Sequence, residues 1–204
     1  MKHWTCNEEW IGDTAWIIGG GWSLRGVDLT PLQARKTIAI NSSIFAAPWA
    51  SFLFFGDRRW YAEHRKALAD MKCRIVTNSP SVREPGLLFM NKVKAPPGIS
   101  DDRSTLAMLW TSIGPSMNLA AHLGCKRIVL LGADLTAAPD GTTHHHKPHP
   151  WPLNPKWRAM QLESLGYCVK PLEKRGIEVI NANPESAVPF WPKRPFADCL
   201  KEFT

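Results

Sequence analysis

Short apolar runs that stop abruptly at a glycine, asparagine or aspartate recur along this chain, and stretches with helical spacing separate several of them. Thr14-Ala-Trp-Ile-Ile18 stops at Gly19-Gly20-Gly21, Thr37-Ile-Ala-Ile40 at Asn41-Ser42-Ser43, and Ser51-Phe-Leu-Phe-Phe55 at Gly56-Asp57. Cys73-Arg-Ile-Val76 leads to Thr77-Asn78, Arg127-Ile-Val-Leu-Leu131 to Gly132-Ala133-Asp134, and Ile177-Glu-Val-Ile180 to Asn181. Strands of nearly continuous apolar sequence are buried on both faces, as in a parallel sheet covered by helices. The pattern predicts an α/β, Rossmann-like single domain, with a mostly parallel sheet and helices on both faces. Its core spans about residues 14–182, and a proline-rich tail occupies 184–204.

Between the runs, residues 58–71 read as a helix, because Trp60, Tyr61, His64, Leu68 and Met71 fall on one face. A second helix is expected from about 112–116 to Leu123, with Gly124 as its C-terminal glycine. A third covers 156–174, where Pro171 should end or bend it early. Residues 87–90 are a further strand candidate, and 91–103, with Pro96-Pro97-Gly98, read as a loop. Residues 136–155 lack periodicity and are long for a connection, which favours a functional loop or lid. A short helix is expected around 196–203.

With 204 residues the chain can bury one good core. No window is apolar enough to cross a bilayer, and the N-terminus lacks a signal-like stretch, so a cytoplasmic protein without a membrane partner is expected. The five scattered cysteines form no Cys-x-x-Cys pair, which argues against a disulfide framework or thiolate zinc site. A formal charge of +7 suits an anionic ligand, either a nucleotide or a nucleic acid, without choosing between them. A homo-oligomer is compatible with everything read so far.

In a parallel sheet all the strand-end residues gather at one edge, where ligands bind. Gly19, Gly20, Gly21 and Ser23 let a backbone approach a ligand and offer amides to a phosphate. Leu24 stands in place of the third glycine of the dinucleotide fingerprint, and Asn41 in place of its acid, so NAD is disfavoured. No Lys-Ser/Thr pair makes a Walker loop. Asn41 and Ser42 can bond a ribose or base without charge, and Asn78 shares their edge. Asp57 and Asp134 could position magnesium or accept from hydroxyls, and helix capping competes as the role of Asp57. His144, His145, His146 and His149 crowd one loop and could supply a general base near neutral pH, or bind a transition metal.

Gly20-Gly21-Trp22-Ser23-Leu24 resembles the Gly-x-Gly-Pro-Ser-Leu turn of the MptE-like (DUF115) family, which includes 6-hydroxymethyl-7,8-dihydropterin pyrophosphokinases and many phage-encoded proteins. The Rossmann-like bacterial sialyltransferases carry a similar turn. Further similarity comes in order at residues 39–42, 54–60, Ser112 with 118–124, 126–134, and the Thr-His-x-His-x-x-His-Pro pattern at 143–150. Trp22 replaces the usual proline, and Ile113 stands where glycine would follow serine. The resemblance implies a nucleotide-dependent transferase whose nucleotide site includes Ser112. By analogy with the sialyltransferases, His144, His146 or His149 would be the base and the strand-end asparagines would hold the nucleotide. By analogy with the pyrophosphokinases, ATP and magnesium would be used and Asp134 would gain a metal role.

The leading expectation is therefore a glycosyltransferase-like enzyme with a nucleotide-sugar donor and a histidine base. The alternatives are an MptE-like pyrophosphokinase using ATP and Mg, a non-catalytic nucleotide-binding module, phage-encoded and acting on nucleic acid, or a histidine-loop metal site supporting hydrolysis.

Overall fold

The computed structural model describes residues 3–147 and 156–203. Seven strands form one wholly parallel sheet. In chain order they are β1 (Thr14–Ile18), β2 (Lys36–Ile40), β3 (Phe52–Phe55), β4 (Arg74–Thr77), β5 (Leu87–Phe89), β8 (Arg127–Leu131) and β9 (Glu178–Asn181). Between β5 and β8 lie β6 (Asn91–Val93) and β7 (Thr105–Ala107), which pair with each other in a separate two-stranded sheet. The helices are α1 (Arg58–Leu68), α2 (Ile113–His122), α3 (Trp157–Lys174) and α4 (Phe196–Glu202).

The order across the large sheet is β5-β4-β3-β2-β1-β8-β9. The chain builds outward from β1 to β5, then returns to place β8 on the other side of β1. Strand order thus reverses between β1 and β8, and an open sheet leaves a crevice outside the carboxyl ends of two such strands. In register, Ile18 of β1 faces Leu131 of β8 and Ala39 of β2.

Each strand divides its side chains between two cores, as a period of two requires. Ala15, Ile17, Ile38, Phe52, Phe54, Ile128 and Leu130 face one side, where Met117 and Leu119 of α2 and Leu165 and Leu172 of α3 cover them. Trp16, Ile18, Val129 and Leu131 face the other, with Cys199 of α4 and Phe203 beyond it. Beside these, Leu53 and Phe55 pack against Trp60, Tyr61 and Leu68 of α1. Helices therefore cover both faces. The tail returns to the sheet: the Ala187 and Arg194 amides donate to the Asp134 and Asn181 carbonyls at 2.8 and 3.0 Å.

Two expectations are corrected. Residues 91–103 are not all loop, because β6 opens that stretch and pairs with β7. The pairing is held from outside: Asn118 of α2 accepts from the Ser100 and Ala107 amides through Oδ1, at 2.8 and 2.9 Å. Nor does Pro171 end α3, which continues to Lys174. Proline deprives the Tyr167 carbonyl, four residues back, of its helical donor. Gly98 packs there instead, so closely that a Cβ on it would lie 2.2 Å from that oxygen.

Candidate functional site

The cleft opens at the β1–β8 reversal. The glycine turn and the end of β8 meet backbone to backbone: the Gly19 and Gly21 amides donate to the Leu131 and Gly132 carbonyls, at 2.8 and 2.9 Å. A Cβ on Gly19 would lie 2.8 Å from the Gly132 oxygen, and one on Gly21 would lie 2.3 Å from Asp134 Oδ2. The glycines are thus needed first for close packing. Two of their amides are committed to β8 rather than offered to a phosphate, and the Ser23 amide is committed to Asp134.

Asp134 is 1% exposed. Its carboxylate accepts from the Ser23 amide and hydroxyl at 2.8 and 2.7 Å, and from Asn183 Nδ2 at 2.9 Å. It organises the turn from beneath. It is also the one acid among the described residues lining the cleft. No group of three or more histidine, cysteine, aspartate or glutamate side chains among the described residues is disposed to hold a metal ion.

The histidine loop folds back onto the turn. Gly21 and His144 form an antiparallel bridge, and the His145 amide donates to the Gly20 carbonyl at 3.1 Å. Arg25 ties the outgoing arm of the loop through its ion pair with Asp140, at 2.8 Å. The three described imidazoles take different positions. His144 Nδ1 lies 2.8 Å from Thr143 Oγ1. His145 Nε2 lies 3.2 Å from Ser43 Oγ, whose only proton goes to the Gly19 carbonyl at 2.8 Å. The imidazole is therefore the donor to Ser43. Burial, with the nearby His146, pushes the His145 pKa down to about 4.

His146 Nδ1 lies 2.9 Å from the Lys147 carbonyl, which can only accept, so Nδ1 carries the proton and Nε2 the lone pair. Nε2 sits over the turn, 2.9 Å from where a Cβ on Gly20 would stand. Burial holds the His146 pKa below its ordinary value; the bond to Lys147 opposes this and His64 adds to it. His149 lies outside the described residues.

Opposite the histidines, α2 begins at the cleft, lined there by Thr111, Ser112 and Ile113. A helix N-terminus favours an anion. Ser112 is its N-cap residue without a side-chain cap bond, and Thr111 Oγ1 accepts from the Ile113 amide at 3.1 Å. Trp110 (50% exposed), Trp157 and Gln161 complete that wall. Asn41 and Leu135, at the ends of β2 and β8, both hold positive φ, at 50° and 49°, and both line the cleft. For leucine this is an unfavourable conformation, the kind of backbone strain that concentrates at ligand sites.

Three strand-end candidates stand at the same sheet edge without lining the cleft itself. Asp57 caps α1, accepting from the Arg59 amide at 2.7 Å, and pairs with the Arg59 guanidinium at 3.0 Å. Burial raises its pKa, but the bonds from Arg59 outweigh this and leave the carboxyl lowered. The Ser42 hydroxyl accepts from the Trp60 indole at 2.8 Å. Asn78 is buried at the end of β4. Sequence reasoning singled out neither Ser43 nor Asn183 as a site residue and gave His145 no role apart from the other loop histidines; only long-range contacts give them their places.

No protein-family model and no curated protein matches the chain. Among solved structures it is similar to the sialyltransferase CstII from Campylobacter jejuni in complex with a substrate analogue, cytidine-5'-monophosphate. The identity is 15%, the match covers 96% of this chain and 87% of that one, and the TM-score is 0.54. The two chains share a fold. A structure of CstII with CMP-3FNeuAc matches at 14% identity, over 90% and 86% of the two chains, with a TM-score of 0.49. Among the described residues, no helix is long and apolar enough to cross a membrane.

Proposed function

We propose that the cleft binds a nucleotide sugar and that the protein is a glycosyltransferase-like enzyme with His146 as its general base. One observation carries this reading: His146 donates through Nδ1 to the Lys147 carbonyl, which leaves the Nε2 lone pair over the glycine turn. A depressed pKa keeps that nitrogen unprotonated at neutral pH, as a base must be. In the reaction, Nε2 takes the proton of an acceptor hydroxyl as its oxygen bonds to the anomeric carbon of the donor. The bond from that carbon to the phosphate oxygen breaks, and the nucleotide leaves with the electron pair. The α2 N-terminus, with the Gly20 amide, would hold the phosphate, and Asn41 the ribose. A cytidine nucleotide is the donor to try first, since the similar structure was solved with cytidine-5'-monophosphate.

The sequence resemblance to MptE-like pyrophosphokinases would instead require ATP and a cation at Asp134. The three hydrogen bonds already made by that carboxylate favour the glycosyl reading. Thermal-shift titrations with cytidine, uridine and adenine nucleotides and their sugars, with and without magnesium, distinguish the two. His146→Ala should then abolish transfer, a loss on the order of 10²–10⁴-fold, with nucleotide affinity nearly intact. His144→Ala and His149→Ala, measured alongside, locate the base if His146→Ala keeps full turnover, a result that ends the role assigned to His146.

A further inference from the structure

Most of the buried asparagines among the described residues are spoken for. Asn118 accepts from the Ser100 and Ala107 amides, Asn181 donates to the Ala133 carbonyl, and Asn183 donates to Asp134. Asn78 differs. It is 1% exposed, and among the described residues neither its Oδ1 nor its Nδ2 has a hydrogen-bond partner. Folded proteins rarely strip an amide of water and leave both its atoms unpaired, so such a group calls for an explanation.

Its neighbourhood supplies one. Asn41, Gly56 and Asn78 follow directly on β2, β3 and β4, adjacent strands of the sheet, at the edge that carries the glycine turn. Asn41 Oδ1 is likewise buried without a partner. Between the two amides, Gly56 leaves the end of β3 without a side chain, and Met108 lies across it. A Cβ on Gly56 would stand 2.7 Å from Met108 Cε and 3.4 Å from Asn78 Oδ1. Met108 is itself only partly buried, and an unbranched thioether changes rotamer readily.

In doubly wound sheets phosphates lie at the first strand-to-helix turn and the ribose at the end of the next strand. A nucleotide laid out that way, from Gly20 past Asn41, carries its base towards Gly56 and Asn78. We infer that Asn78 reads the base of the bound nucleotide and that Met108 swings off Gly56 to admit it. The inference rests on the nucleotide reading of the cleft and adds the residue that selects the base. A carboxamide sets one donor beside one acceptor, which matches the adjacent hydrogen-bonding groups on a base edge such as N3 and N4–H of cytosine.

Titration calorimetry with cytidine-5'-monophosphate and with ribose 5-phosphate, which keeps the sugar and phosphate but lacks the base, tests this. The full chain should bind the nucleotide at least about tenfold more tightly than ribose 5-phosphate. Asn78→Leu, or Asn78→Ala if the leucine variant fails to fold, should erase that advantage and leave ribose 5-phosphate binding unchanged. The ligand-free Asn78→Leu protein should also melt no lower than the parent, because an unpaired buried amide has been replaced by an apolar group of similar size. An unchanged nucleotide preference in both variants, or equal binding of the two probes by the parent, overturns the inference while the nucleotide cleft survives. Failure of the parent to bind either probe overturns both.

Discussion

Acidification should loosen the histidine loop through His145 before it unfolds the sheet. Within the folded chain this imidazole is half-buried, donates to Ser43 and has a pKa pushed down to about 4, against an ordinary 6.5. Below the ordinary value the unfolded chain takes up a proton that the folded chain refuses, so stability falls with pH. The stabilisation is fully present above about pH 6.5, is lost progressively towards pH 4, and changes no further below that. At about pH 4.5 the full shift is worth about 2.5 kcal/mol, which solvent screening at a half-buried site reduces to the order of 1–2 kcal/mol. His146 and His122, both held low by burial, titrate in the same direction, so the parent protein alone cannot isolate the effect. His145→Gln keeps an amide donor in reach of Ser43 and removes the titration. Urea unfolding of both proteins at about pH 7 and about pH 4.5 should show the parent losing about 1–2 kcal/mol more than the variant. Equal losses would refute the claim that burial holds His145 neutral.

Two further perturbations probe the turn. Gly21→Ala places a Cβ 2.3 Å from Asp134 Oδ2 and 2.6 Å from the Gly132 oxygen, and backbone cannot yield cheaply. It should cost on the order of 3 kcal/mol, read as a drop in Tm of roughly 6–12 °C, and a drop of less than about 2 °C would contradict the packing argument. Asp134→Asn turns an amide donor towards the Ser23 or Asn183 donors, and should cost about 1–3 kcal/mol and weaken nucleotide binding by loosening the turn. Calorimetry and thermal melts of that variant read both consequences.

The sheet, the helices and the edge where polar strand-end residues gather were legible in the sequence because each is encoded locally. Thr14–Ile18 and Arg127–Leu131 are apolar along nearly their whole length, which a strand buried on both faces requires, and Gly124 stops α2 with φ at 89°. Asp57 was legible as a cap for the same reason, since its partner is two residues away. The two strands of the small sheet were not legible. Asn91–Val93 lacks an apolar pattern and becomes a strand only because Thr105–Ala107 is held beside it by Asn118. The extent of α3 to Lys174 was legible, whereas the close packing of Gly98 on the Tyr167 carbonyl that Pro171 leaves without a helical donor was not.

The glycine turn shows where the division falls. Three glycines after a strand announce a close backbone approach, and that follows from the missing Cβ alone. What approaches was decided by tertiary structure: β8 takes the Gly19 and Gly21 amides, and Asp134 takes Ser23. Four histidines in one loop likewise announce titratable chemistry without distributing it. Distribution came from the folded loop, with His145 turned inward to Ser43 and His146 donating from Nδ1 to the Lys147 carbonyl with Nε2 near Gly20. Residue type and local spacing set which groups are available and roughly where the chain turns. Hydrogen-bond partners a hundred positions apart decide which of those groups support the cleft and which face into it.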